Sequence, residues 1–237
     1  MRSSKMQMAV LAVLSFAVLS GSAVRAEDVA GAGFLDMAKD SGFMEWILLL
    51  VSVTGVALGL QAFVSIRPHL LRPPHTSSEL LTLCQEGQLD EAMDLAQSEE
   101  NFLAKVASAA LANSQNGKEA MEGAMAEAGE LEAAKYLNKI GVLSLIAAIA
   151  PMLGLTGTTI GMIKTFAVIA VKADAVTASD MARGISIALV CTFTGLMIAI
   201  PLLCMAFFLK AKLTQTIHEI SNDVGEMIRT VTSAERA

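Results

Sequence analysis

Polar and apolar positions fall into long blocks along this chain, without the fine alternation of strands. Four apolar blocks stand out, at residues 6–24, 46–66, 140–163 and 184–209, and the last three contain no Asp, Glu, His, Lys or Arg. Each of those three is long enough to cross a hydrocarbon core of ~30 Å as a helix. The first block differs. Arg2 and Lys5 precede it, its most apolar part covers only 8–19, and small residues follow up to Val24-Arg25-Ala26. A basic start, a short apolar core and a small-x-small exit predict a signal peptide over 1–26, cleaved after Ala26. The alternative is an uncleaved extra span.

The blocks between are polar with a helical period. Pro68, Pro73 and Pro74 break the chain beyond the first mature span. Ser77 or Ser78 is placed to cap a helix with Glu79 in its first turn. Leu80, Leu81, Cys84, Leu89, Met93 and Ala96 form an apolar stripe interrupted at Gly87. This predicts a helical hairpin, 79–85 and 89–98. A second hairpin follows, from Phe102 to a turn at Asn113-Ser114-Gln115-Asn116-Gly117 and onward. Few breakers separate that turn from the next apolar block, so one helix of about fifty residues should run into it. The tail repeats the pattern. Leu213, Ile217, Ile220, Val224, Met227 and Val231 step by three and four residues and need a partner, from this chain or another subunit.

Charge orients the spans. Segments 67–139 and 210–237 hold ten Lys and Arg, against four in 27–45 and 164–183. The excess marks the cytoplasmic side, with the N-terminus out and the C-terminus in. Composition agrees: 54% of residues are hydrophobic, 17% charged, and the mean hydropathy is +0.58. A soluble domain is nearer a quarter charged. A net charge of -6 argues against nucleic acid as a partner. Twelve acidic residues in 67–139 read as a solvated helical face, with a docking surface as the alternative. Cys84, Cys191 and Cys204 lie far apart and support neither a metal site nor a disulfide framework; the two in the last block read as small packing residues. No nucleophile–base pair, phosphate loop or cofactor motif points to an enzyme. The expected fold is therefore an all-α integral membrane protein. It has three transmembrane helices in the mature chain, and long helices extend into a cytoplasmic helical domain.

The last two spans carry the distinctive residues. Gly154, Thr158, Gly161 and Thr165 share one helix face, and Gly157 with Gly161 forms a G-x-x-x-G pair. In the final span, Gly184, Ala188, Thr192, Gly195 and Ala199 form a second small-residue face. Thr158 and Thr192 stand at comparable depth. Their hydroxyls suit a narrow polar path, or alternatively bond their own i−4 carbonyls. Pro151 and Pro201 free the carbonyls of Ala147 and Met197 and mark kink positions. Neither span supplies an ionisable group, and a proton path across lipid normally uses one. If protons cross here, the carboxylate must come from another polypeptide. Lys164 stands at the outer mouth.

Two stretches carry a family resemblance. APMLGLTGTTIGMIKTF and GISIALVCTFTGLMIAIP are similar to paired signatures of the MotA/TolQ/ExbB proton channel family. CQEGQLDEAMDLA is similar to the first cytoplasmic hairpin of the ExbB/TolQ branch, and the three-span layout fits that branch. The resemblance implies a pentameric ring around single-span partners of the ExbD/TolR type, which carry the proton-accepting Asp. It implies a bacterial inner membrane, where proton flow drives work on the cell envelope through a TonB/TolA-like effector. Biopolymer transport or protein import is the expected work. The layout becomes a periplasmic N-terminus at 27–43, spans at 44–66, 140–164 and 183–209, and a cytoplasmic domain at 67–139. A periplasmic loop at 165–182 and a cytoplasmic C-terminal helix at 210–237 complete it. Thr158 and Thr192 match two threonines near the family's path. Many members place a Glu within the third span where this chain has Ile187, so no role for that acid carries over. A MotA-like flagellar or gliding stator, and a non-conducting membrane scaffold, are the competing readings.

Overall fold

The computed structural model describes residues 43–172 and 177–234. The expected signal peptide, 1–26, and nearly all of 27–43 lie outside the described residues. Everything regular among the described residues is helical. The order is α1 Phe43–Ser65, α2 Pro68–Leu71, α3 Pro74–Glu86, α4 Leu89–Ser98, α5 Phe102–Leu111, a 3₁₀ turn at Ser114–Asn116, α6 Lys118–Lys172 and α7 Ala178–Ala234. Three helices, α1, α6 and α7, are long and apolar enough to cross a membrane, with mean hydropathies of 2.3, 2.0 and 2.4 over their most apolar windows. The all-α membrane fold expected from the blocks is the fold observed.

The described residues divide into two compact units, those within 43–59 and 141–207, and those within 60–140 and 208–234. The first, apolar unit is built from α1 and the apolar stretches of α6 and α7. Small residues bring its helices together. A Cβ on Gly55 would stand 2.6 Å from Leu202 Cδ1 and 3.3 Å from Ile146 Cγ2, and one on Gly59 would collide with the Met205 side chain. These two glycines therefore seat α1 on its neighbours. Large apolar side chains point away from the packed faces. Trp46 is 66% exposed and Phe207 70%. Such an apolar surface suits lipid or partner helices, not water.

The second, polar unit holds α2 to α5 with the polar stretches of α6 and α7. Its helix ends follow local chemistry. The Asn101 side chain accepts from the Ala104 N–H at 2.8 Å and starts α5. Gly87, at φ 77°, ends α3 in the left-handed conformation, and the Gln88 N–H returns to the Leu83 carbonyl at 3.0 Å. The first hairpin departs from expectation at its start. α3 begins at Pro74 with Pro73 as its N-cap, so the proline that breaks the preceding chain also initiates the helix. Ser77 is thereby placed inside the helix, where its hydroxyl donates to Asp223 Oδ2 at 2.7 Å.

The tail finds its partner within the same chain. Leu213, Ile220, Val224, Met227 and Val231 are all buried, as are Leu80, Cys84, Phe102 and Val106 of the shorter helices. One ionic anchor holds α2 to α7 inside this unit. Arg72 donates through Nε to Asp223 Oδ2 at 2.5 Å and through Nη2 to Asp223 Oδ1 at 2.9 Å. The paired hydrogen bonds raise the Arg72 guanidinium above its usual range, so it stays charged. Burial pushes the Cys84 thiol up to about 11. Lys212 is lowered, first by desolvation and then by Arg67, and its ammonium lies 5.7 Å from the Phe63 ring centroid.

Candidate functional site

Within the apolar unit, α6 and α7 meet along the two small-residue faces. A Cβ on Gly154 would lie 2.8 Å from the Cys191 carbonyl oxygen and 3.1 Å from Thr192 Cα. A Cβ on Gly195 would lie 2.7 Å from the Ala150 carbonyl oxygen and 3.2 Å from Gly154 Cα. Backbone therefore touches backbone. Gly161 faces Ala188, with 2.9 Å from its ideal Cβ to that of Ala188, and the space beside Gly184 is filled by the Thr165 side chain. Gly157 packs against Cys191 and against Met44 of α1. Gly154, Gly157, Gly161, Ala188, Thr192 and Gly195 thus stand in this seam, with Gly184 against Thr165. Pro151 and Pro201 both lie inside uninterrupted helices.

The close approach brings Thr158 and Thr192 into contact. Their hydroxyls are hydrogen-bonded to each other across the seam. Thr158 also reaches the Ala188 carbonyl at 3.0 Å and its own i−4 carbonyl, Gly154, at 3.2 Å. Thr192 reaches the Gly154 carbonyl at 3.4 Å. Two hydroxyl protons thus share more acceptors than they can satisfy at once, which lets the donor direction reverse. Nearby threonines behave differently. Thr156 and Thr159 bond only their i−4 carbonyls, Met152 at 2.8 Å and Leu155 at 3.0 Å. Thr158 bonds its own i−4 carbonyl and, unlike them, also bonds across the seam.

A cavity of about 330 Å³ opens where α1, α6 and α7 meet. Phe43, Met44, Gly157, Gly161, Lys164, Thr165, Gly184, Ile187, Ala188 and Cys191 line it. The same unit holds a side chain that the sequence reading passed over. Glu45 stands in the first turn of α1, and its Oε1 accepts from the Thr194 hydroxyl at 3.1 Å. The charge-free run begins one residue later, at Trp46, so Glu45 reads as a flank in sequence. The Gly55-x-x-x-Gly59 spacing in α1 was a legible signal that was likewise not singled out.

Long apolar helices, packed through small-residue faces that enclose a pair of hydroxyls, are the build of a helical membrane protein. Residues 77–222 match the MotA/TolQ/ExbB proton channel family. The match spans more than half of the chain and takes in both threonines, and the chain belongs to that family. Two relatives are named for biopolymer transport. An ExbB homologue of Methanothermobacter thermautotrophicus is 27% identical over 206 residues, covering 84% of this chain and 69% of the relative. Biopolymer transport protein exbB1 of Vibrio cholerae is 32% identical over 94 residues, covering 37% of this chain and 41% of that protein. The family is one of channel and transport subunits, and the relatives set this chain on its ExbB side.

Proposed function

We propose that the chain is the ring-forming subunit of a proton-motive-force-driven motor in the bacterial inner membrane. With a single-span ExbD/TolR-like partner, it couples proton flow to work on the cell envelope. The carrying observation is the hydroxyl pair of Thr158 and Thr192, held across a seam where the helix backbones touch. A hydroxyl accepts and donates, so the pair can order water or relay a proton past the seam. Neither helix offers a carboxylate beside it, and so the proton carrier enters on the partner's span. Spans at 44–66, 140–164 and 183–209, a cleaved leader, a periplasmic N-terminus and a cytoplasmic C-terminus complete the reading. A pentameric ring and a TonB/TolA-like effector are its further parts. The relatives' names favour transport of biopolymers over the stator reading.

Reconstitution tests this. The chain and its co-purifying single-span partner are placed in liposomes with a pH-sensitive dye inside, and a potential is imposed. Proton uptake is expected with both proteins and absent with either alone. Thr158→Val and Thr192→Val should each reduce uptake while the complex still assembles. Undiminished uptake in both variants would overturn the pore-lining assignment. Native mass spectrometry in mild detergent showing only monomers would overturn the ring.

A further inference from the structure

Glu45 lies outside the hydroxyl pair, and its surroundings are unlike those of a surface acid. It stands on an apolar helix with its carboxyl turned toward α7. Thr194 donates to Oε1 at 3.1 Å, and the Cys191 thiol, almost one turn away on the same helix, reaches the same carboxyl. Among the described residues, the other oxygen, Oε2, is closed to solvent and has no hydrogen-bond donor. Cys191 is itself buried beneath Gly157. An ionisable side chain turned into a seam of apolar helices is costly to keep there and points to a function. A purely structural link to Thr194 needs one acceptor oxygen, and a neutral amide would supply it. Here the second oxygen is closed to solvent with no donor among the described residues, and a carboxyl, unlike an amide, can gain or lose a proton there. The cavity at the α1, α6 and α7 junction is lined by Met44, the neighbour of Glu45 in sequence, and by Cys191, its bonding partner.

We propose that Glu45 is a proton-exchanging carboxyl of the apolar unit, with Thr194 and Cys191 as its bonding partners. Among the described residues, α7 faces it with Thr194 and Cys191, and α1 brings no other ionisable group. From α6, Lys164 is the charged residue lining the cavity at the α1, α6 and α7 junction. Asp180 and Arg183 line a second cavity with Lys164 and Ile187. The site rests on the α1–α7 geometry and does not require Thr158 and Thr192 to lie on a proton path.

Carbodiimide labelling tests it in membranes carrying the full-length chain in its complex. The acid's O–H adds across one C=N bond of dicyclohexylcarbodiimide. The carboxyl oxygen bonds the central carbon, the proton goes to nitrogen, and the O-acylisourea rearranges to a stable N-acylurea with no atom lost. Peptide mass spectrometry locates the adduct. Glu45 should be labelled by this lipid-soluble reagent and spared by a water-soluble carbodiimide. The yield should fall about tenfold per pH unit above a single midpoint. Thr194→Val should move that midpoint, whereas Thr156→Val should leave it in place. No adduct at Glu45, a pH-independent adduct, or equal labelling by the water-soluble reagent would overturn the proposal. Proton uptake by the reconstituted complex is read separately, so the two assignments fail independently.

Discussion

Replacing Gly154 with alanine puts a methyl carbon 2.8 Å from the Cys191 carbonyl oxygen and 3.1 Å from Thr192 Cα. Both are backbone atoms of α7, so no side-chain rotation relieves the contact. Ordinary contact begins at 3.4 Å, and the two helices must part by roughly 0.5 Å, which already forfeits about a quarter of each contact's attraction. Overpacking of this kind costs about 1–3 kcal/mol. Weakening the hydroxyl pair adds about 1 kcal/mol. Against this, alanine gains up to about 1 kcal/mol of helix propensity over glycine. Gly141→Ala is the control. It lies on the same helix, and no atom stands within 4 Å of its ideal Cβ, so only the propensity gain applies. The difference between the variants isolates the steric cost. Thermal unfolding in lipid nanodiscs, followed by far-UV circular dichroism, should give Gly154→Ala the lower midpoint and Gly141→Ala one at or above the parent. Equal midpoints would refute the backbone contact and, with it, the geometry that joins the two hydroxyls.

Thr158→Val and Thr192→Val should be non-additive in stability, the double variant losing about 0.5–1 kcal/mol less than the sum, as a double-mutant cycle would show; strict additivity would mean that the hydroxyls do not bond. Arg72→Ala should destabilise the polar unit by about 1–3 kcal/mol in chemical denaturation, and Arg72→Lys should restore only part of this because an ammonium lacks the fork. Cys84 should resist thiol reagents in the folded protein and react on denaturation. The folded protein keeps the Cys84 proton between 9.0 and about 11, where the unfolded chain has released it. This contribution to stability is therefore lost as pH rises through that window, and Cys84→Ala should flatten the alkaline decline of the denaturation midpoint.

Much of this molecule is legible because its signals are local. Charge-free blocks announce α1 and the apolar stretches of α6 and α7, and Gly87 and Gly117 punctuate the polar helices where positive φ is required. Small residues at four-residue spacing predict which faces of α6 and α7 meet. What escaped depends on distant partners. The start of α3 was assigned to a serine cap, but Pro74 sets it, and the Ser77 hydroxyl serves Asp223 far along the chain. The burial of the Leu213–Val231 stripe within its own chain was one of two open choices, because periodicity shows that a face needs cover and not what covers it. Glu45 escaped for a similar reason. An acid at the edge of an apolar block looks like the solvated end of a helix until Thr194, from a helix much later in the sequence, is found bonded to it.

The hydroxyl pair also sets how this sequence can change over evolutionary time. Thr158 and Gly154 are one helical turn apart, and Thr192 bonds the Gly154 carbonyl as well. A single inserted residue between them would rotate everything beyond by about 100°. Thr158 would leave the seam, and the glycines that follow would turn with it. Exchanges among small side chains can be absorbed one at a time, but a change of length between 154 and 165 has no partial remedy. The turn around Ser114–Asn116, by contrast, lies between helices and can lengthen without shifting a packed face. Relatives of this chain should therefore carry their insertions and deletions outside the 154–165 and 184–195 stretches, which makes the gap pattern across the family a record of the contact between α6 and α7.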